Sequence, residues 1–215
     1  MIKGIIFDLD GVIISTDEYH YLAWKAIADK EGIYFDREIN NRLRGVSRMD
    51  SLEIILERAN KEYSQSEKES LAEQKQNLYR SYLGNLTPHD LSEDTIYTIN
   101  KLHELGYRLG IGSSSRNTKY ILEKINLLQE FDFIADGTMI SHSKPDPEVF
   151  LKAADGLGLK PSECLVIEDA YSGIDAGRNG GFLTIGIGDA YKYEKANYHI
   201  QSLKEIVDIA QQLNK

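Results

Sequence analysis

An apolar run begins near the start of the chain and ends on two carboxylates: Lys3-Gly-Ile-Ile-Phe-Asp-Leu-Asp-Gly-Val12. It is apolar on both faces, which suits a strand whose sheet is covered by helices on either side. Similar runs recur at 107–112, 132–135, 164–168 and 183–187. Amphipathic stretches lie between and after them, at 95–105, 118–125, 147–157, 172–179 and 203–213. In the first of these, Ile96, Ile99, Leu102 and Leu105 repeat at helical spacing before Gly106. This alternation predicts an α/β fold built on a doubly wound parallel sheet.

Residues 17–87 break the alternation. They carry helical periodicity at 17–31, 49–60 and 66–83 and no convincing strand. Ser47 stands three residues before Asp50, and Ser66 three before Glu69, two starts of the capping-box kind. The expectation is a core of residues 1–16 and 88–215, with an all-helical insert at 17–87 acting as a cap over one site. No internal repeat, low-complexity tract or long linker interrupts this plan.

Composition narrows the function classes. The 215 residues carry a net charge of −9, which leaves no strongly basic face for nucleic acid. Small phosphorylated substrates remain compatible, because a metal and a few local cations can reverse the potential within a cleft. Cys164, the only cysteine, excludes an intrachain disulfide and reads as a buried apolar residue. No stretch reads as a signal peptide or a membrane span, so a cytoplasmic protein without membrane partners is expected.

Four groups with chemical potential fall at or after the carboxyl ends of predicted strands, the edge where open α/β sheets bind ligands. They are Asp8 with Asp10, Ser113-Ser114-Ser115, Lys144 in Ser-Lys-Pro-Asp-Pro, and Glu168-Asp169. Each alone could be an ordinary polar turn; together on one edge they form a phosphoryl-transfer constellation. Asp8, Asp10, Glu168 and Asp169 supply hard oxygens suited to Mg²⁺. Lys144 adds a point charge, while the Ser113 hydroxyl and loop N–H groups are placed for phosphoryl oxygens. A carboxylate can attack phosphorus to give an aspartyl-phosphate, which assigns Asp8 to attack and Asp10 to proton transfer.

In chain order, Phe7-Asp8-Leu9-Asp10-Gly11-Val12, Ser113, Lys144-Pro145 and Glu168-Asp169 resemble the four motifs of the haloacid dehalogenase superfamily. The resemblance implies a Rossmann-like core with strand order 3-2-1-4-5, a C1 cap formed by the helical insert, and Mg²⁺ dependence. Within that superfamily, His20, Trp24, Gly45-Val46-Ser47-Arg48, Ser51, Lys75 and Ser113 to Asn117 resemble the hexose-phosphate mutases. That likeness implies a small phosphorylated sugar as substrate and a sugar bisphosphate intermediate. It gives His20 a role in positioning Asp10, and assigns Lys75 and Ser51 to the sugar hydroxyls. Arg48, with Ser115, Arg116 and Asn117, would receive the phosphate that is not being transferred.

Three positions depart from the family pattern: Ser15 replaces a common Asp, Arg116 replaces a Lys, and 91–95 lacks the usual Pro-Gly. None removes a catalytic group. Read without the resemblance, Trp24 is core before pocket wall, and Lys75 in Glu-Gln-Lys-Gln-Asn is as consistent with solvent as with sugar. The alternatives are a Mg²⁺-dependent sugar-phosphate phosphatase and a non-catalytic sugar-phosphate binder. A monomer is expected.

Overall fold

The computed structural model describes residues 1–43 and 47–215. The chain divides into two compact units, Met1–Ser15 with Leu86–Lys215, and Thr16–Asn85. The first contains a parallel sheet of strands β1 (Gly4–Phe7), β2 (Arg108–Gly112), β3 (Phe133–Ala135), β4 (Cys164–Glu168), β5 (Leu183–Gly186) and β6 (Tyr198–His199). Their spatial order is β3-β2-β1-β4-β5-β6, so the five-strand order implied by the resemblance is present and extended by one strand. β1 is central: Phe7 lies opposite Ile111 on β2 and Ile167 on β4. All four of its residues are buried, as the two-sided apolar pattern requires.

The second unit is helical, with α1 (Asp17–Lys30), α2 (Arg37–Asn41), α3 (Arg48–Leu56) and α4 (Gln65–Leu83). Its core gathers Trp24, Ile27, Phe35, Leu52, Ile55 and Leu71. Three side-chain caps define the helix starts. Asp36 Oδ1 accepts from the Ile39 N–H at 2.8 Å, and Ser47 Oγ from the Asp50 N–H at 3.2 Å. The capping box before α4 differs from the sequence expectation: it uses Ser64 and Glu67, not Ser66 and Glu69. Glu67 reaches back to the Ser64 N–H at 2.8 Å, and Ser64 Oγ accepts from the Glu67 N–H at 3.3 Å. Ser64 has the extended backbone an N-cap needs, whereas Ser66 already lies within the helix. α3 ends at Leu56, short of the expected residue 60.

The sheet is covered by α5 (Glu93–Glu104), α6 (Thr118–Lys124), α7 (Glu148–Gly156), α8 (Tyr171–Asn179) and α9 (Glu205–Gln212). α7 packs on β1, β2 and β3 and against α8, which packs on β4 and β5; α5 packs on β2 and against α9. Ser92, in the segment without Pro-Gly, caps α5 by accepting from the Thr95 N–H at 3.0 Å. Short β6 and α2 escaped the sequence reading because two and five residues are too few to show a period. Among the described residues, no helix is long and apolar enough to cross a membrane.

The capping box makes a discriminating prediction. Ser64→Ala should cost about 1 kcal/mol of unfolding free energy in urea titration. Ser66→Ala, at an exposed position, should stay within about 0.5 kcal/mol of the parent.

Candidate active site

The β1 ladder runs on into the first carboxylate, whose N–H donates to Ile167 O at 2.9 Å. This fixes Asp8 beside the end of β4, where the side chain of Glu168 is almost fully buried. Lys144, from the loop after β3, closes the gap. Its ammonium donates to Asp8 Oδ1 and to Glu168 Oε1, both at 2.5 Å. The ring of buried Phe150, on α7, lies 4.6 Å from the ammonium and adds a π face to its surroundings. Glu168 Oε2 accepts from the Ala170 N–H at 2.8 Å, so both of its oxygens are engaged. Its carboxylate rests over Gly173, where a Cβ would stand only 1.8 Å from Oε1.

The Asp8–Asp10 loop turns at Gly11, which has φ +80°. A Cβ there would lie 2.1 Å from Asp169 Oδ2, so the glycine admits the Asp169 carboxylate against the loop. Asp8 is buried, and Asp10 and Asp169 are partly so. At the neighbouring end of β2, the serines build a compact turn. Ser113 is buried and its hydroxyl accepts from the Ser115 N–H at 3.2 Å, while Ser115 Oγ accepts from the Asn117 N–H at 3.2 Å. Buried Asn117 precedes α6, Arg116 is exposed, and the buried Ser114 hydroxyl has no hydrogen-bond partner. The ends of β2, β1 and β4 adjoin in the sheet, so the four predicted groups do converge on one edge.

The electrostatics follow from two buried carboxylates sharing one cation. Burial pushes the Asp8 carboxyl up from 3.8 to about 7; Lys144 opposes the shift, and Glu168 and Asp10 add to it. Burial works against the Lys144 ammonium, yet Asp8 and Glu168 outweigh it and hold its pKa above the ordinary lysine value. The site thus carries more buried negative charge than its lysine neutralises, and its donors are hard oxygens. That combination fits a small divalent cation. A separate trio, His142, Asp146 and Glu148, brings ligand atoms within 4.8 Å of one another. Two of its oxygens serve the start of α7: Glu148 Oε2 accepts from the N–H groups of Ser141 and His142, and Asp146 Oδ1 from that of Glu148.

The helical unit holds the other predicted residues. Lys75 is buried, which removes the solvent-facing alternative, and its Nζ lies 2.8 Å from His20 Nδ1. Burial first, and the Lys75 charge second, hold the His20 pKa well below its usual value. Trp24 and Ser51 are buried; Ser47 and Arg48 are exposed at the start of α3. Gly45 and Val46 lie outside the described residues. Sequence reasoning missed Phe150, Thr16 and Tyr79. Tyr79 carries a usable signal, standing one helical turn after Lys75 on the same face of α4.

This arrangement defines a phosphoryl-transfer fold, and the family comparison agrees. Residues 2–181 match the haloacid dehalogenase-like hydrolase family, and the chain belongs to it. It is 43% identical over 188 residues to the beta-phosphoglucomutase of Bacillus subtilis strain 168, covering 86% of this chain and 83% of that protein. A crystal structure of beta-phosphoglucomutase from Clostridium difficile superposes with a TM-score of 0.89 at 38% identity, covering 100% of this chain and 98% of the other. The fructose-1-phosphate phosphatase of Escherichia coli is 29% identical over 185 residues, covering 86% of this chain and 95% of that protein.

The raised Asp8 pKa fixes the sign of a pH effect. Folded Asp8 holds a proton that the unfolded chain releases near pH 4, so its contribution to stability falls as pH rises from about 4 to about 7. Asp8→Asn lacks this term. In metal-free protein, the melting temperatures of parent and variant should therefore diverge over that window, with the variant gaining. Divergence in the parent's favour would contradict the assignment.

Proposed function

We propose that the chain is a β-phosphoglucomutase, interconverting β-D-glucose 1-phosphate and glucose 6-phosphate through a bound glucose 1,6-bisphosphate. The observation that carries the chemistry is the Lys144 ammonium held between Asp8 and Glu168. It sets the Asp8 side chain beside a fixed cation, where charge would gather on a transferring phosphoryl group. Phospho-Asp8 gives its phosphoryl group to the C6 hydroxyl of β-glucose 1-phosphate while Asp10 takes that hydroxyl's proton, and the bisphosphate forms. After the bisphosphate reorients, Asp8 attacks the phosphorus at C1 and takes that phosphoryl group, and Asp10 returns the proton to the departing C1 oxygen of glucose 6-phosphate.

Asp8, Asp10, Glu168 and Asp169 are the residues proposed to hold Mg²⁺, which would supply charge neutralisation for the phosphoryl oxygens. Glu168 also accepts from Lys144 and from the Ala170 N–H, so its proposed part includes holding Lys144. The Ser113 hydroxyl and the N–H groups of the Ser113-Ser114 turn are assigned to the transferring phosphate. Arg48, Ser115, Arg116 and Asn117, with Ser47 and the Gly45-Val46 segment, are assigned to the other phosphate. Lys75, His20, Ser51 and Trp24 are assigned to the sugar and to the placement of Asp10.

The choice of sugar over water as acceptor rests on the likeness to beta-phosphoglucomutases, which exceeds that to the phosphatase. A cytoplasmic, monomeric enzyme without nucleic-acid or membrane partners completes the reading, supported by the acidic charge and the lone buried cysteine.

One assay separates the readings: β-glucose 1-phosphate, Mg²⁺ and a trace of glucose 1,6-bisphosphate, with glucose 6-phosphate and free phosphate both followed. Glucose 6-phosphate should dominate; predominant phosphate release would make the chain a phosphatase. Arg48→Ala should lower mutase kcat/KM by roughly a hundredfold, as loss of a charged hydrogen-bond partner does. It should affect hydrolysis of a simple monophosphate far less, and equal loss of both activities would remove Arg48 from the second phosphate site.

A further inference from the structure

Two pairs of residues one helical turn apart face each other in the helical unit: His20 and Trp24 on α1, Lys75 and Tyr79 on α4. Tyr79, 1% exposed, is among the largest fully buried side chains of the chain. Its ring centroid lies 4.0 Å from that of His20, with the planes 31° apart. The Lys75 ammonium stands 4.7 Å from the same ring and 5.1 Å from that of Trp24. The Tyr79 hydroxyl is 2.9 Å from Oγ1 of Thr16, the residue before α1, whose carbonyl accepts from the His20 N–H. Tyr79 therefore touches His20 with its face, lies beside the cation bonded to His20, and joins the backbone turn that carries His20.

An ammonium can only donate hydrogen bonds. With Nζ 2.8 Å away, His20 Nδ1 is the acceptor, and the proton of the neutral imidazole belongs on Nε2. This pairing requires the imidazole plane to stay aligned with Lys75. The phenol face limits tilting of the ring, and its hydroxyl link to Thr16 fixes the phenol in turn. Simple space filling would need neither the link nor the close approach of the two ring faces.

We propose that Tyr79 is a positioning residue that holds the His20 imidazole in one plane and one tautomer, and thereby aims both His20 and Lys75 at the sugar phosphate. The sugar-phosphate part of this statement rests on the mutase reading above. The tautomer part does not.

The test is a long-range ¹H–¹⁵N spectrum of the full-length labelled protein at neutral pH, with the His20 signals assigned by their loss in His20→Gln. In the parent, His20 should appear as the Nε2–H tautomer alone, with ring protons shifted upfield by the facing phenol. A parent His20 in the Nδ1–H form, or averaging between tautomers, overturns the proposal without recourse to any variant. Tyr79→Leu should give mixed tautomers and lower kcat/KM for β-glucose 1-phosphate roughly tenfold, the scale of small misplacements. Tyr79→Phe, keeping the ring, should retain the Nε2–H form and most of the lost turnover. A folded Tyr79→Leu with parental tautomer and kinetics overturns the proposal; Tyr79→Met replaces it if the Leu variant fails to fold. Absence of mutase turnover in the parent would remove the mutase reading while leaving the tautomer to decide the role of Tyr79.

Discussion

One buried cation serving two buried carboxylates organises the catalytic edge. Asp8 and Glu168 sit on neighbouring strands and would repel one another in a dry interior; Lys144, arriving from a third strand's loop, makes their proximity tolerable. The surrounding structure accommodates that triad. Gly173 leaves space for Glu168, Phe150 faces the lysine, and the left-handed turn at Gly11 brings Asp169 to the loop that carries Asp8. Burial raises the Asp8 pKa against the pull of the shared lysine, and the acidic edge retains room in its charge balance for a divalent ion.

The helical unit applies the same physics with opposite sign. Its buried charge is a lysine, and its neighbours are a neutral imidazole and aromatic faces. A cation so placed is partly stabilised by ring quadrupoles, and its hydrogen-bond donors remain directional. In the proposed reaction the core edge would supply the carboxylates that attack and exchange protons, and the helical unit would supply cations and donors for the sugar and the second phosphate.

Much of this was legible in the residues because short strands apolar on both faces can be told from amphipathic helices, and because motif chemistry concentrates at strand ends. Asp8, Lys144 and Glu168 could be placed on one edge from that rule alone. What could not be read was which oxygen serves which partner. Glu168 could be placed beside Asp8 from sequence, but that its two oxygens meet Lys144 and the Ala170 N–H is set by backbone geometry. Lys75 was as consistent with solvent as with sugar because its neighbours in sequence are polar, whereas burial is set by α1 packing across the helix. The α4 capping box slipped by two residues because Ser64 and Ser66 both stand three before a glutamate, and only backbone conformation distinguishes them.

Brief exposure to glucose 1,6-bisphosphate with Mg²⁺, acid quenching and peptide mass spectrometry test directly whether Asp8 is the phosphoryl acceptor. One phosphoryl group should appear on the peptide containing Asp8, removable by hydroxylamine as expected for an acyl phosphate, with no label in Asp8→Asn. A phosphoryl group on a serine or histidine, or label persisting in Asp8→Asn, would contradict that role for Asp8.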